Sequence, residues 1–106
     1  MPFSATYEEA EPTRAEVDQS SGLVLLEFGA DWCGHCRALS PTLSVLLHRR
    51  SDVRHIRVAD GRGKPLGRSF RVKLWPTLVL LRDGQVVEQL VRPSPEEVQR
   101  ALAELK

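Results

Sequence analysis

The sequence has few cysteines, few aromatic residues and no long apolar run. Only two of its 106 residues are cysteine, and a disulfide-stabilised scaffold of this size normally carries more. The longest unbroken apolar runs, 23–26 and 78–81, have four residues each, whereas a membrane-spanning helix needs about 20. The formal net charge of +1 excludes the charge bias that is typical of disordered tails. We therefore expect one soluble globular domain over 1–106, without a membrane segment.

Charge is spread unevenly along the chain. Residues 1–31 carry seven acidic side chains against one basic, whereas residues 48–73 carry nine basic side chains against two acidic. The first 20 residues are acidic and lack an apolar stretch, so we expect no secretory signal peptide and a cytoplasmic location. The basic middle lacks the aromatic interleaving and the zinc-finger or helix-turn-helix patterns of nucleic-acid binding. It is interpreted as solvated surface, and no nucleic-acid partner is expected.

Hydrophobic periodicity and turn residues predict the element order α, β, α, β, connection, β, β, α. Helices are expected over 12–20, from the cysteine pair to residue 50 with Pro41 inside, and after Ser94, which caps the last one. Strands are expected over 23–28, 53–59, 77–81 and 85–91. The connection 61–71 contains at most a short helix. The β-α-β start requires a parallel pair, and the Asp83-Gly84 turn adds an antiparallel hairpin. The predicted fold class is α/β, a mixed central sheet flanked by helices on both faces.

Both cysteines lie in one short motif, Cys33-Gly34-His35-Cys36, between an apolar strand and a helix. At that place the first sulfur lies beside free backbone N–H groups and the positive end of the helix dipole, which favours a thiolate. A thiolate at Cys33 can attack a disulfide, and Cys36 can then resolve the mixed disulfide. On these residues alone two other interpretations stay open: a buried, inert pair, and half of a zinc site that takes two more ligands from the three histidines.

Several motifs of the chain resemble those of the thioredoxin family. The segment 28–36 reads FGADWCGHC, Pro41 follows the second cysteine by five residues, and Trp75-Pro76-Thr77 precedes a strand and an Asp-Gly hairpin. The resemblance covers about residues 20–105 and implies a thioredoxin-like fold and a thiol–disulfide oxidoreductase without cofactor or metal. It implies protein disulfides or glutathione mixed disulfides as substrates, and a flavoprotein reductase or glutathione as electron donor. We expect a monomer.

The same resemblance assigns roles to individual residues. It implies that Cys33 is the exposed nucleophile and Cys36 the buried resolving thiol. Trp32 shields one side of the pair, and Pro76 corresponds to the cis-proline of the family, which packs against the disulfide. The residue before this proline pairs through its backbone with an extended substrate chain. The implied substrate-binding residues are Trp32, Gly34, Trp75 and Pro76.

Glu27 lies inside the first strand, where the resemblance implies a buried acid beneath the cysteines. Burial raises the pKa of a carboxyl, so Glu27 is predicted to accept the proton of Cys36 when that thiol attacks. The alternative is an acid that faces water on a less buried part of the strand. The family often pairs this acid with a lysine on the next central strand. Arg57 lies near that position, but an insertion around residue 60 leaves the register and the pairing open.

His35 departs from the usual thioredoxin motif, and this difference affects the reduction potential of the cysteine pair. Thioredoxins usually have Gly-Pro between the cysteines, whereas Gly-His is the pair of protein disulfide isomerase. An imidazolium at this position stabilises the Cys33 thiolate and raises the reduction potential. The potentials of the two families, about −270 and about −180 mV, differ by about 90 mV, so we predict a pair more oxidising than that of a Cys-Gly-Pro-Cys thioredoxin. The alternative is an exposed side chain without influence on the cysteines.

Three further departures concern docking. Trp75 stands where the family commonly has a smaller residue, Arg92 falls near the usual glycine after the last strand, and Gly29 replaces an aromatic residue of many thioredoxins. Together they predict a narrower or different set of clients, or loss of the flavoprotein reductase as donor. A second hypothesis is a non-enzymatic adaptor or chaperone that keeps the fold, and a third is metal binding through the two thiols.

Overall fold

Helices and strands follow one another in the predicted order, with a short helix inside the connection. The computed structural model describes residues 3–106. Its elements are α1 (Arg14–Asp18), β1 (Leu23–Gly29), α2 (Gly34–His48), β2 (Val53–Ala59), α3 (Pro65–Ser69), β3 (Thr77–Arg82), β4 (Gln85–Val91) and α4 (Pro95–Glu104). Within this part of the chain, no helix has the length and apolar composition that crossing a membrane requires.

The four strands form one mixed sheet in the order β2-β1-β3-β4. β1 pairs in parallel with β2 and antiparallel with β3, which in turn pairs antiparallel with β4. Asp83 and Gly84 join β3 to β4 with positive φ angles of 50° and 80°, as a two-residue type I′ hairpin requires. The predicted α/β architecture with a mixed sheet is confirmed.

Helices cover both faces of the sheet, and β1 is consequently buried on both sides. On one face Leu25 packs with residues of α2 and α4, such as Leu43 and Leu102. On the other face Leu26 packs with residues of α1 and α3. Because side chains alternate along a strand, Glu27 shares the face of Leu25. The acid therefore lies under the helix that carries the cysteines.

Side-chain caps set the first residues of α1 and α4. Ser94 caps α4 in a capping box with Glu97, and Thr13 caps α1 in the same way with Glu16. The first helix is shorter than the predicted 12–20. Because Thr13 occupies the N-cap, the helix begins two residues later than predicted, and it ends two residues earlier, at Asp18. Pro41 lies inside α2, as the sequence predicts.

The N-terminal arm, residues 3–11, runs beside β2 and was not predicted. The N–H of Glu8 donates to the carbonyl of Arg57 at 2.9 Å, and the N–H of Ala59 donates to the carbonyl of Glu8 at 2.9 Å. These two bonds form an isolated parallel bridge at the edge of the sheet. They bring Tyr7 to the end of β1, where its ring is buried.

Candidate active site

Cys33 occupies the N-cap of α2. Its backbone is extended (φ −77°, ψ 121°), and its sulfur accepts a hydrogen bond from the N–H of Cys36 at 3.4 Å. Cys33 is 8% exposed and Cys36 is 0% exposed, and both are free thiols. The implied order of exposure is present, but Cys33 is less open than implied because it packs in a small cluster with Tyr7, Ala30, Cys36, Ala59 and Trp75.

The pKa of the Cys33 thiol lies below its ordinary value of 9.0. Burial by itself raises this pKa, but hydrogen bonds from the Cys36 thiol and from the backbone N–H groups of Cys36 and His35 favour the thiolate. The positive charge of Arg92 acts in the same direction. The start of α2 therefore supplies the stabilisation that the sequence predicts, and His35 contributes to it through its backbone.

The pKa of the Cys36 thiol is raised to about 11. Burial is the largest cause, and the hydrogen bond with Cys33 acts in the same direction. The backbone of Ala30 and the hydroxyl of Tyr7 oppose this effect through their hydrogen bonds with Cys36. At neutral pH the two thiols are therefore unequal, since Cys33 ionises more readily and Cys36 keeps its proton.

Glu27 is fully buried and accepts hydrogen bonds on both carboxylate oxygens. Oε1 accepts from His55 Nε2 at 2.8 Å and from Arg57 Nε at 3.0 Å. Oε2 accepts from Arg57 Nη2 at 3.1 Å and from the hydroxyl of Tyr7. His55 Nδ1 accepts the backbone N–H of Ser4 at 2.9 Å, so the proton of the neutral ring lies on Nε2. We call Tyr7, Glu27, His55 and Arg57 the Glu27 cluster.

The expected raised pKa of Glu27 is wrong, and so is the alternative of an acid facing water. Burial raises the pKa of this carboxyl, but the hydrogen bond from His55 and the charge and hydrogen bonds of Arg57 outweigh it. The pKa is held below its ordinary value of 4.5. Among residues 3–106 no hydrogen bond joins Glu27 to Cys36, and the side chain of Tyr7, whose hydroxyl bonds to Glu27, packs beside Cys36. Glu27 is thus a stabilised carboxylate and a poor proton acceptor.

Arg57 forms the pairing that the sequence left open. It lies directly beside Glu27 in the parallel register of β1 and β2. Its guanidinium also donates to Ser40 Oγ at 2.6 Å and to the Tyr7 oxygen at 3.1 Å, and its central carbon lies 4.1 Å from the centre of the Tyr7 ring. Arg57 therefore ties β2 to α2 and to the N-terminal arm around one buried carboxylate.

Trp32, Trp75 and Pro76 lie beside the cysteine pair, as the resemblance implies. The Trp75–Pro76 bond is cis. The two indoles meet edge to face, with ring centres 5.5 Å apart and planes at 70°. Trp75 is fixed because its Nε1 donates to Asp60 Oδ2 at 2.9 Å, whereas Trp32 is 75% exposed. The two rings form an apolar wall next to Cys33.

A groove next to the cysteine motif contains a positive charge. It is lined by His35, Pro76 and Arg92, with Ala38, Leu39, Pro93 and Pro95. Arg92 has a φ of 47°, a conformation that glycine adopts readily, which agrees with the glycine of the family at this place. Its Nε donates to the carbonyl of Trp75 at 2.8 Å. Gly34 and His35 are exposed in the first turn of α2.

Of the three histidines considered for a zinc site, only His35 lies in the motif with the thiols. His55 is bonded to Glu27 and Ser4, and His48 lies exposed at the far end of α2. In the part of the chain that the structure describes, no group of three or more His, Cys, Asp and Glu side chains is placed to hold a metal ion.

Comparison with known proteins decides the family, because the Thioredoxin family model matches residues 5–104. The chain belongs to the thioredoxin family. It is similar to the solved structure of thioredoxin 2 from Pseudomonas aeruginosa PAO1 in its reduced form, with 46% identity, a TM-score of 0.86 and coverage of 97% of this chain and 96% of that one. It is also similar to a thioredoxin of Listeria monocytogenes, with 39% identity over 83 residues. That match covers 77% of this chain and 81% of the Listeria protein.

Membership of the thioredoxin family confirms the expected fold and the expected class of reaction. Thioredoxins are thiol–disulfide oxidoreductases, and this chain carries the Cys-x-x-Cys pair of that activity at Cys33 and Cys36. The second and third hypotheses, a non-enzymatic adaptor and a metal-binding module, are therefore not needed to account for the motif.

Sequence reasoning missed Tyr7, His55 and Asp60 in this thioredoxin. One signal for the cluster was present, since His55 and Arg57 alternate on β2 and so face the same side of the strand. Tyr7 has no local signal, because its position depends on the bridge between the N-terminal arm and β2. Asp60 is recognised only once Trp75 is seen to lie against it.

Proposed function

We propose that this thioredoxin exchanges disulfides with protein and glutathione-mixed-disulfide substrates, with Cys33 as nucleophile and Cys36 as resolving thiol. The observation that carries the proposal is the contrast between the two thiols. Cys33 caps α2, is 8% exposed and has a lowered pKa. Cys36 is fully buried and has a pKa of about 11. This contrast gives the two steps a fixed order, because only one sulfur is ready to attack at neutral pH.

The proposed reaction has two exchange steps. The Cys33 thiolate attacks one sulfur of the substrate disulfide, forms a bond with it and releases the other substrate sulfur as a thiolate. Cys36 then loses its proton and attacks Cys33 Sγ, which closes the Cys33–Cys36 disulfide and releases the second substrate sulfur as a thiolate. The substrate disulfide gains two electrons and the protein dithiol loses them, while the released thiolates take up protons from Cys36 and water.

Substrate binding is assigned to the surface around the pair, with Trp32, Gly34, Trp75 and Pro76 as its residues. The Arg92 side chain bonds to the carbonyl of Trp75, which is the backbone group expected to pair with a substrate chain. A client must displace this bond, so we propose a narrower or different set of clients than that of a thioredoxin with glycine at this place. Glutathione or a flavoprotein reductase as electron donor, a monomeric state and a cytoplasmic location stay predictions.

The potential of the pair is the finer part of the proposal. Replacing His35 by proline is expected to lower the midpoint potential by tens of mV, with about 90 mV as the upper bound set by the difference between the two families. Proline removes the imidazole, which when protonated favours the reduced, thiolate form, and it also removes the backbone N–H of residue 35 that stabilises the Cys33 thiolate. Equilibration with glutathione buffers, followed by alkylation and mass analysis of the free thiols, measures the midpoint.

Two comparisons make this experiment specific. His35→Gln removes the imidazole without adding the ring constraint of proline, so it separates charge from the geometry of the helix start. His48→Gln removes an exposed imidazole from the other end of α2 and is expected to leave the midpoint unchanged. A midpoint that is the same in the wild type and in His35→Gln would reject the electrostatic role of His35, whatever the midpoint of His35→Pro.

A further inference from the structure

A buried tyrosine fills the space next to the resolving cysteine. Gly29 ends β1 there, and a Cβ added to it would lie 2.6 Å from Cys36 Sγ and 2.8 Å from Tyr7 Cε1. Both distances are too short for real atoms, so the Tyr7 ring can lie against Cys36 only because position 29 has no side chain. The bridge of Glu8 to β2 holds the ring in this place. Gly29 and Tyr7 thus form a complementary pair that brings a hydroxyl to a reacting sulfur.

The hydroxyl of Tyr7 has two hydrogen-bond partners and lies near a third polar group. It donates to Glu27 Oε2 and accepts from Arg57 Nη2 at 3.1 Å, and the Tyr7 side chain packs with Cys36 in one buried cluster, close enough to lower the pKa of that thiol. Burial and the charge of Glu27 raise the pKa of Tyr7 above its ordinary value of 10.0. The hydroxyl therefore keeps its proton and remains a donor throughout the neutral range.

Glu27 is not suited to take the proton of Cys36. The pKa of the Cys36 thiol is about 11, whereas that of Glu27 is below 4.5. A proton passed from Cys36 to this carboxylate would move to a far weaker base, and a substrate thiolate holds it more strongly. What the Glu27 cluster can offer Cys36 is a donor for its anion, and Tyr7 is the member of the cluster that contacts this sulfur.

We propose that Tyr7 is a catalytic residue whose hydroxyl donates a hydrogen bond to the Cys36 thiolate while this sulfur attacks the mixed disulfide. The inference rests on the proposed function and adds a residue to it. The hydroxyl turns from Glu27 Oε2 to Cys36 Sγ, and Glu27 keeps its hydrogen bonds from His55 and Arg57. The Cys36 proton passes to the substrate thiolate released in the first step. The Cys33–Cys36 bond then forms as the bond between Cys33 and the substrate breaks, and the hydroxyl returns to Glu27.

A two-phase reaction with dithiobis(nitrobenzoate) tests the proposal. The first nitrothiobenzoate is released when Cys33 attacks the reagent, at a rate proportional to reagent concentration. The second is released when Cys36 attacks the adduct on Cys33, at a rate that does not depend on reagent concentration. Stopped-flow absorbance separates the two phases, so the step assigned to Tyr7 is measured apart from the reactivity of Cys33.

Tyr7→Phe keeps the ring and removes the hydroxyl. Loss of a hydrogen bond to an anion is expected to raise the pKa of Cys36 by about one to two. The thiolate fraction then falls about 10- to 100-fold, and the greater nucleophilicity of a more basic thiolate offsets about half of this on a logarithmic scale. The second phase is therefore expected to slow about 3- to 10-fold. The first phase is expected to stay within about twofold, because Tyr7 does not donate to Cys33.

Two further proteins separate a direct role from a structural one. Thr13→Ala removes the side-chain cap of α1, outside the Glu27 cluster, at a cost of about 1 kcal/mol, and is expected to leave both phases within about twofold. Because Tyr7 is the only tyrosine of the chain, growth on fluorotyrosine modifies this position alone. The fluorinated phenol is more acidic and a stronger donor, so the second phase is expected to accelerate in a protein whose fold is unchanged.

The outcomes are distinct. An unchanged second phase in Tyr7→Phe, or equal slowing in Tyr7→Phe and Thr13→Ala, overturns the proposal. If Tyr7→Phe does not fold, the fluorotyrosine protein decides, and a second phase that is unchanged or slower in it overturns the proposal. Loss of the first phase in the wild type would refute the proposed function itself, independently of Tyr7.

Discussion

Replacing Cys33 by serine reduces the rate of insulin reduction by dithiothreitol to the uncatalysed level. Serine retains the size of the side chain and its ability to cap α2, but its hydroxyl does not ionise at neutral pH and cannot form a disulfide. Because the first exchange step is lost and Cys36 is sealed with a pKa of about 11, no second thiol takes over. The expected loss is therefore complete, and the turbidity of the precipitating insulin chain measures it.

A cap substitution elsewhere distinguishes chemistry from folding in this experiment. Ser94→Ala removes the side-chain cap of α4 and is expected to cost about 1 kcal/mol of stability while insulin reduction continues. Thermal unfolding of both variants shows whether Cys33→Ser is folded at the assay temperature. Insulin reduction that persists in folded Cys33→Ser would mean that the activity does not pass through this sulfur.

Replacing Arg57 by methionine is expected to lower the free energy of unfolding by about 3–5 kcal/mol. Arg57 supplies two of the four hydrogen bonds to the buried Glu27 carboxylate and is its permanently charged partner in the Glu27 cluster. Methionine keeps apolar volume in the same place but leaves the carboxylate charged and unpaired. For a domain of this size the melting temperature is expected to fall by about 12 °C or more. Chemical denaturation measures the free energy directly.

The loss in Arg57→Met depends on pH in a defined direction. In the wild type the pKa of Glu27 lies below 4.5, so its contribution to stability is present above pH 4.5 and is lost as pH falls through the folded-state pKa. In the variant, burial without a positive partner raises the pKa of Glu27, so stability is lost as pH rises. The difference between the two proteins is therefore largest near neutral pH and shrinks on acidification.

Arg54 offers a matched control on the same strand. Its side chain is exposed, and Arg54→Met is expected to change the free energy of unfolding by less than about 0.5 kcal/mol at any of these pH values. If Arg54→Met and Arg57→Met were equally stable, the buried ion pair would not contribute as the geometry indicates.

Local signals in the sequence predicted most of the fold. The Asp83-Gly84 turn adopts the positive φ angles that its residue types favour, and Ser94 caps the helix that it was expected to cap. The run at β1 was expected to be buried on both faces, and helices cover it on both sides. These features depend on a few neighbouring residues, which is why a single sequence reveals them.

The environment of the buried acid was not predictable in the same way. Glu27 has a lowered pKa because two side chains of β2, His55 and Arg57, contact it from positions far away in sequence. A position inside a strand indicates burial, but it does not indicate which donors surround a side chain. Desolvation and hydrogen bonding shift a carboxyl pKa in opposite directions, so the sign depends on contacts that only the folded chain shows.

The most direct test of the account is covalent trapping. In Cys36→Ser the first exchange proceeds and the second cannot, so incubation of the reduced variant with insulin is expected to accumulate a mixed disulfide on Cys33. Intact mass and peptide mapping identify the bonded cysteine, with Cys33→Ser as the matched protein. The account predicts a stable adduct through Cys33 in Cys36→Ser and none in Cys33→Ser. Adducts formed equally fast on Cys36 in Cys33→Ser would contradict it.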